Sequence, residues 1–305
     1  MPSLGSPAAW PLEPVPVFLI VLAGLLYLRG SRRRGPGYRA ASERRWRAAA
    51  FYGGLLSVVV ALDTPVDPLA ERLFAVHMAQ HLLLLVVAPA LIVLSAPWLR
   101  LWQPLPLGFR RTVAKTIARS RWCAPLRLLG RLLSRPLPAL VLFSAVLLVW
   151  HLPSLYDATL SNQNVHEAEH ATFFAAGVIF WLQVLDSPPV HARLTYGQRA
   201  VYLMGATLVS WVLAIVLAFA NHPLYGGYAQ LTHRPAGLSA LADQQIAAGV
   251  MWVPGSIPFT IAIIWALYRW LEPTPEPRLL AGRNGHRPSD ARKEHAWTTH
   301  SQPTS

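Results

Sequence analysis

Apolar and polar positions alternate along this chain in blocks, not residue by residue. Long apolar runs occupy about 10–28, 46–62, 73–96, 137–151, 165–185, 199–220 and 244–269, separated by polar connections rich in Arg, Pro and Gly. Runs approaching twenty apolar residues have the length of a helix that crosses the hydrocarbon core of a bilayer. Only helices and closed barrels satisfy their backbone hydrogen bonds in that medium. These runs are far longer than a barrel strand and lack period-two alternation. The pattern therefore predicts an all-α fold, an integral membrane bundle of seven transmembrane helices within residues 10–271. The remaining segment, 272–305, is rich in Pro, Arg, Ser and Thr and has almost no aliphatic residue after Ala281. It cannot bury a core and is expected to be a disordered tail.

Composition agrees with this reading. The chain has 305 residues, 53% of them hydrophobic and 13% charged. Its formal net charge of +13 raises nucleic acid as a partner, but the placement of the charge argues otherwise. Eight arginines lie between Arg29 and Arg47, nine Lys/Arg between Arg100 and Arg135, then come Arg193 and Arg199, and six more from Arg269 onward. With seven spans, all of these fall on one face of the membrane, and only Arg72 and Arg234 fall on the other. Cytoplasmic loops collect Lys and Arg. The expected topology is an N-terminus outside and a cytoplasmic C-terminus, with the basic loops facing anionic lipid and no role in nucleic-acid binding. Short arginine-rich loops suit a bacterial inner membrane. The first run has its basic block after it, the reverse of a secretory signal peptide, and is read as a retained span.

Within the loop 100–135, Arg110 to Arg119 alternates charge and apolar residues at helical spacing. This predicts a helix lying on the inner leaflet. Pro89 in the third run, and Pro254 and Pro258 in the seventh, each remove a backbone donor and are expected to kink their helices.

The histidines follow the opposite pattern to the arginines. His77, His81, His151, His166, His170 and His222 all fall at or just beneath the outer surface. His77-Met78-Ala79-Gln80-His81 opens the third span, and residues four apart share a helix face. His166-Glu167-Ala168-Glu169-His170 opens the fifth span in the same sense, with His166, Glu169 and His170 on one face. Trp150-His151, Asn221-His222 and Asp243-Gln244 reach the same level from the fourth, sixth and seventh spans, and Met251 lies two turns below Gln244. The inner halves of the spans carry almost no ionisable residue, and ionisable groups inside a membrane are costly enough to be read as functional.

A single histidine at a span end is ordinarily an interfacial hydrogen-bonder, and His151 and His222 individually fit that description. Two aligned imidazoles on each of two helices are different and point to a metal ion. Imidazole suits zinc, copper, iron and nickel, and a thioether shifts the preference toward reduced copper. The lone cysteine, Cys123, falls in a cytoplasmic loop, so no disulfide forms within the chain and outer-face metal chemistry rests on imidazole, carboxylate or thioether. Bis-histidine haem ligation competes, but histidines four apart fit an ion better than a porphyrin. No catalytic triad, P-loop or glycine-rich nucleotide motif is present.

Several ordered segments resemble the CtaG-type cytochrome c oxidase assembly factors, the family associated with the caa3-type oxidase. They are His77-Met78-Ala79-Gln80-His81-Leu82-Leu83-Leu84 running into Ala88-Pro89 and Ser95-Ala96-Pro97, then Trp150-His151-Leu152-Pro153 with Tyr156-Asp157. His166 to His170, Asp243-Gln244-Gln245 and Met251-Trp252-Val253-Pro254-Gly255 complete the set. The resemblance covers about 45–270. It implies a bacterial multi-pass membrane protein, not an enzyme, that supports oxidase assembly by delivering or inserting copper into the catalytic subunit. By that resemblance His77, His81, His166 and His170 are expected metal ligands, with His151, Asp243 and Met251 as further positions. Cytochrome c oxidase subunits and the lipid bilayer are the expected partners, and the sequence does not identify a copper donor. Two rivals stand beside this reading. In one, the histidines with Asp243 or Glu169 hold zinc in an intramembrane hydrolase. In the other, the chain is a metal-free scaffold for oxidase subunits.

Overall fold

The computed structural model describes residues 14–32, 38–231 and 235–272. Every regular element among them is helical, with one isolated bridge between Ser187 and Val190 and no strand. The chain divides into a unit ending at Trp270 and a second beginning at Leu271. Apart from Glu272, the expected tail lies outside the described residues, as do residues 10–13 of the first expected span.

In chain order the elements that matter are α1 (Pro14–Ser31), α2 (Tyr38–Leu62), α3 (Val66–Ala70) and α4 (Phe74–Leu82). A π-helical turn, Leu83–Val87, joins α4 to α5 (Ala88–Ser95). Then come α6 (Trp98–Trp102), α7 (Leu107–Arg119), α8 (Ala124–Leu133), α9 (Pro136–Trp150), α10 (Pro153–Ser161) and α11 (Gln163–Trp181). The last are α12 (Tyr196–Phe219), α13 (Gly226–Ala229) and α14 (Ala240–Leu271).

Long helices occupy all seven expected positions, but they do not all have the length and composition of a span. Four are long and apolar enough to cross a membrane: α1, the column Phe74–Ser95, α12 and α14. A fifth qualifies only if the bent pair Arg121–Leu133 and Pro136–Trp150 is counted as one. The reasons are local. The first turns of α2 carry arginines inside the helix, α11 opens with its histidines and glutamates, and α9 has only 15 residues. The 96° bend between α8 and α9 makes α8 a poor extension of α9. With α7 it forms a pair of amphipathic helices that bury no residue and expose Leu107, Phe109, Ile117, Leu126 and Leu128. The helix expected around Arg110 is therefore present.

Apolar side chains divide between interior and surface as in a bundle surrounded by hydrocarbon. Phe143, Leu147, Phe173, Phe180, Leu203, Ala206 and Phe259 are buried, while Val201, Leu208, Val212, Val216 and Phe219 of α12 and Val253, Ile257 and Ile261 of α14 face outward. A water-soluble surface rarely exposes so continuous an apolar band.

The third column is shaped by its proline. Pro89 has no N–H to close a turn onto Leu85, and the chain widens into the π-helical turn just before it. π-Helical turns of this kind are frequent near functional sites. The carbonyl of Leu85 lies against Gly177 of α11: a β-carbon there would sit 2.2 Å from the Leu85 oxygen and 2.7 Å from Pro89 Cγ. Only glycine lets the two backbones meet, as small residues do between membrane helices. Two turns above that crossing, α4 and α11 present their histidines to each other. Pro254 and Pro258, by contrast, lie inside α14, and the helix continues through both.

Candidate metal centre

Three local devices place the candidate ligands. Leu73 offers α4 no capping side chain, so the N–H groups of its first turn need an outside acceptor. Asp243, in the first turn of α14, supplies it: its carboxylate accepts from Phe74 N at 2.7 Å and Ala75 N at 3.0 Å. Gln80 then donates through Nε2 to the Ala61 carbonyl and to Asp67 Oδ1, both at 2.8 Å, tying α4 to α2 and α3. On the other side, Asn162 caps α11 by accepting from Asn164 N and Val165 N. That start puts His166, Glu169 and His170 in the first two turns.

His77, His81, Glu169 and His170 each offer one ligand atom, and these atoms lie within 4.8 Å of one another. All four side chains are buried, Glu169 completely. Glu169 Oε2 is 3.6 Å from His77 Nε2 and Oε1 is 3.4 Å from His81 Nε2, both too long for good hydrogen bonds. The tautomer of His77 follows from its other nitrogen. Nδ1 is 3.0 Å from the Tyr228 hydroxyl, and that hydroxyl donates to the Ala70 carbonyl. Tyr228 therefore accepts from His77 Nδ1–H, which in a neutral ring turns the lone pair on Nε2 toward a carboxylate oxygen. His77 Nε2, both nitrogens of His81, Nε2 of His166 and of His170, and both oxygens of Glu169 are buried without a hydrogen-bond partner.

Buried polar atoms are nearly always paired, and each unpaired one costs about 1–3 kcal/mol. The cluster gathers lone-pair donors of the kind that ligate metals and leaves them without good hydrogen bonds among themselves. Three imidazoles with one carboxylate form a ligand set suited to a divalent transition ion. An outer hydrogen bond that fixes the tautomer of one imidazole, as Tyr228 does for His77, is the usual support of such a site. Besides a small cavity beside His81, two larger ones reach it. A polar one of about 190 Å³ is lined by Glu71, His77, Thr159, Ser161, Asn162 and His166, among others. A larger, mainly apolar one of about 740 Å³ runs along α1, α2 and α11 to His166 and His170.

The remaining expected site residues are distributed differently. The His166 ring is 5.3 Å from that of His77 and 4.1 Å from that of His170, at the edge of the cluster and in the walls of both cavities. His151 is buried but turns its Nε2 to Met78 Sδ at 3.2 Å. Met251 lines the small cavity next to them. Asp243 has both oxygens engaged, and the structure places it as a cap of α4 and not with the grouped ligand atoms. Gln244 beside it is also a clamp, bonded to the Leu217 carbonyl and the Leu224 amide. His222 is exposed.

Sequence placed Glu169 on the face of His166 and His170 but gave it a ligand's role only in the zinc reading, and it did not single out Tyr228. Tyr228 carries no such signal, since its partner His77 is 151 positions away.

Fold and cluster together define a helical protein of membrane character that buries a histidine–glutamate constellation at one end of its bundle. The chain belongs to the cytochrome c oxidase caa3 assembly factor family (Caa3_CtaG), whose profile matches residues 25–272. Among curated proteins it is similar to an uncharacterized protein of Mycobacterium bovis and one of Mycobacterium tuberculosis. Each is 24% identical over 259 residues, covering 85% of this chain and 38% of the relative. An uncharacterized protein of Mycobacterium leprae is 23% identical over 260 residues, covering 83% of this chain and 37% of that one. The chain thus spans less than two fifths of the length of these relatives. No solved structure matches it.

Proposed function

We propose that this assembly factor handles copper, not as an enzyme but as a chaperone that holds the ion at His77, His81, Glu169 and His170 and passes it to an oxidase subunit. The observation that carries the reading is the convergence of four ligand atoms within 4.8 Å with their electron pairs unpartnered. The bundle is read as seven spans in a bacterial inner membrane, with α2, α9 and α11 crossing beside the four more apolar columns. The histidine end faces outward and the arginine-rich end, with α7 and α8 on the lipid surface, faces the cytoplasm. The polar cavity then opens to the periplasmic side, where the ion arrives. His166, present in both cavities, is placed to take it first. The lateral cavity gives the bound ion a way out within the plane of the membrane. Imidazole ligands hold an ion only when unprotonated, so binding weakens as the pH falls.

Glu169 favours one rival specifically, because a carboxylate among imidazoles also meets the preference of zinc. The same experiment separates the readings. Cells carrying His77→Ala with His81→Ala are expected to insert normal amounts of protein, whose stability shifts by only about 0–2 kcal/mol. Their oxidase activity should drop and recover in part with excess copper, and the purified variant should lose the copper that the native protein retains. Zinc in the native protein supports the hydrolase. Normal oxidase activity in these cells supports a metal-free scaffold. Loss of the protein itself makes the histidines structural. Orientation is tested by a reporter fused after Ser305, expected active only in the cytoplasm, and by one inserted at Gln163, expected active only outside.

A further inference from the structure

Next to the histidine–glutamate cluster, on the side of α9 and α14, lies a second arrangement that the first does not explain. His151, at the end of α9, has Nδ1 2.7 Å from the carbonyl oxygen of Leu147. A carbonyl only accepts, so Nδ1 carries a proton. In a neutral ring Nε2 then carries a lone pair, and it faces Met78 Sδ at 3.2 Å. A thioether has no hydrogen to give. Two electron pairs therefore oppose each other in a place where His151 and Met78 are both almost fully buried. The contact calls for an electrophile. A proton on Nε2 would leave a buried imidazolium with one weak acceptor. A metal ion would be bound by both atoms.

We propose that His151 Nε2 and Met78 Sδ form a second binding site, for a soft monovalent cation of the cuprous type. An imidazole with a thioether is a donor pair that selects reduced copper. Metal bonds of roughly 2.0 Å to nitrogen and 2.3 Å to sulfur, spanning the observed separation, enclose an angle near a right angle. The pair is thus a bent one, with room for a third ligand. A small cavity of about 40 Å³ lies against it, lined by Met78, His81, His151 and Met251 on an otherwise mainly apolar wall. Met251 supplies the third donor. His81 belongs to both this cavity and the first cluster, and the His81 and His151 rings are 6.1 Å apart. The two sites therefore share a wall, with harder ligands on one side of it and softer ligands on the other. The inference extends the copper reading but does not depend on it, because the second site needs neither Glu169 nor His170.

The chain has four methionines and one cysteine, so copper–sulfur bonding is easy to assign. The detergent-purified full chain is titrated anaerobically with cuprous ion against a chromophoric cuprous chelator, and the loaded protein is examined by X-ray absorption at the copper edge. The native protein is expected to bind two equivalents and to show sulfur scattering at about 2.3 Å. Met78→Leu keeps the volume but removes the sulfur. It is expected to weaken one equivalent at least tenfold and diminish the sulfur signal while the other equivalent stays. His170→Ala should weaken the other equivalent and leave the sulfur signal intact. Selenomethionine labelling leaves the fold unchanged and should convert copper–sulfur into copper–selenium scattering, even if Met78→Leu accumulates poorly. Native protein without sulfur or selenium scattering overturns the proposal. Two equivalents bound normally by Met78→Leu also overturn it. If His170→Ala changes nothing while Met78→Leu removes copper, the first reading fails and the second one stands.

Discussion

Arg199 and Glu169 are both charged and both buried, at opposite ends of the same bundle. Arg199 donates through Nη1 to Asp186 Oδ2 and the Val184 carbonyl, each at 2.9 Å, and through Nε to the Leu194 carbonyl at 3.0 Å. Arg100, near the same end, bonds the Tyr27 hydroxyl at 2.6 Å and the Ser95 carbonyl at 3.2 Å. Glu169 makes no good hydrogen bond on either oxygen; its nearest nitrogens, His77 Nε2 and His81 Nε2, stand at 3.6 and 3.4 Å. A buried charge whose partners all come from its own chain stabilises the fold. A buried carboxylate that faces imidazoles at distances too long for good hydrogen bonds is left less fully satisfied by its own chain. The arginine end is therefore satisfied by the fold itself, and on the proposed function the histidine end would be completed by an ion.

The largest effect tests the contact that holds the two histidine pairs face to face. Gly177→Val puts a branched side chain where even a β-carbon would lie 2.2 Å from the Leu85 oxygen. The clash is with backbone, so the loss should exceed the roughly 1–3 kcal/mol of ordinary overpacking. Little protein should reach the membrane, as quantitative blotting of membrane fractions would measure. Normal accumulation with intact metal content would mean that the crossing at Gly177 does not set the site.

Next in size is Arg199→Met. It leaves two buried carbonyls and Asp186 without their donor, and stability in chemical denaturation should fall by about 1–3 kcal/mol with metal content unchanged. Glu169→Gln is the counterpart and should behave in the opposite way. Removing an uncompensated buried charge is expected to leave the metal-free protein as stable as the native one or more so, by about 1 kcal/mol. Metal affinity in a competition titration should drop at least tenfold. A stability loss like that of Arg199→Met would place Glu169 among the structural charges and dissolve the contrast.

Sequence pattern carried the helical class, the two His-x-x-x-His faces and their shared level, because all three are properties of one helix at a time. It could not assign the carboxylates. Asp243 and Glu169 each open or nearly open a helix beside histidines. Yet one caps α4 from 169 residues away, and the other sits among imidazoles. Which acid faces which neighbour is a property of packing between helices. The count of spans was ambiguous for a related reason. The arginines in the first turns of α2 and the polar start of α11 lower the apolar content of helices that still occupy places in the bundle. Pro89 was legible as a disturbance, but its resolution as a π-helical turn facing Gly177 was not.

That turn and that glycine have a mechanical consequence. Side chains interlocked between membrane helices can slide when the surrounding lipid thickens, thins or changes its lateral pressure. A carbonyl resting directly on a glycine backbone has no such play. The spacing between the two histidine pairs is set by a hard stop two turns beneath them, so the width of the ligand cluster is a dimension of the protein and not of the bilayer it occupies.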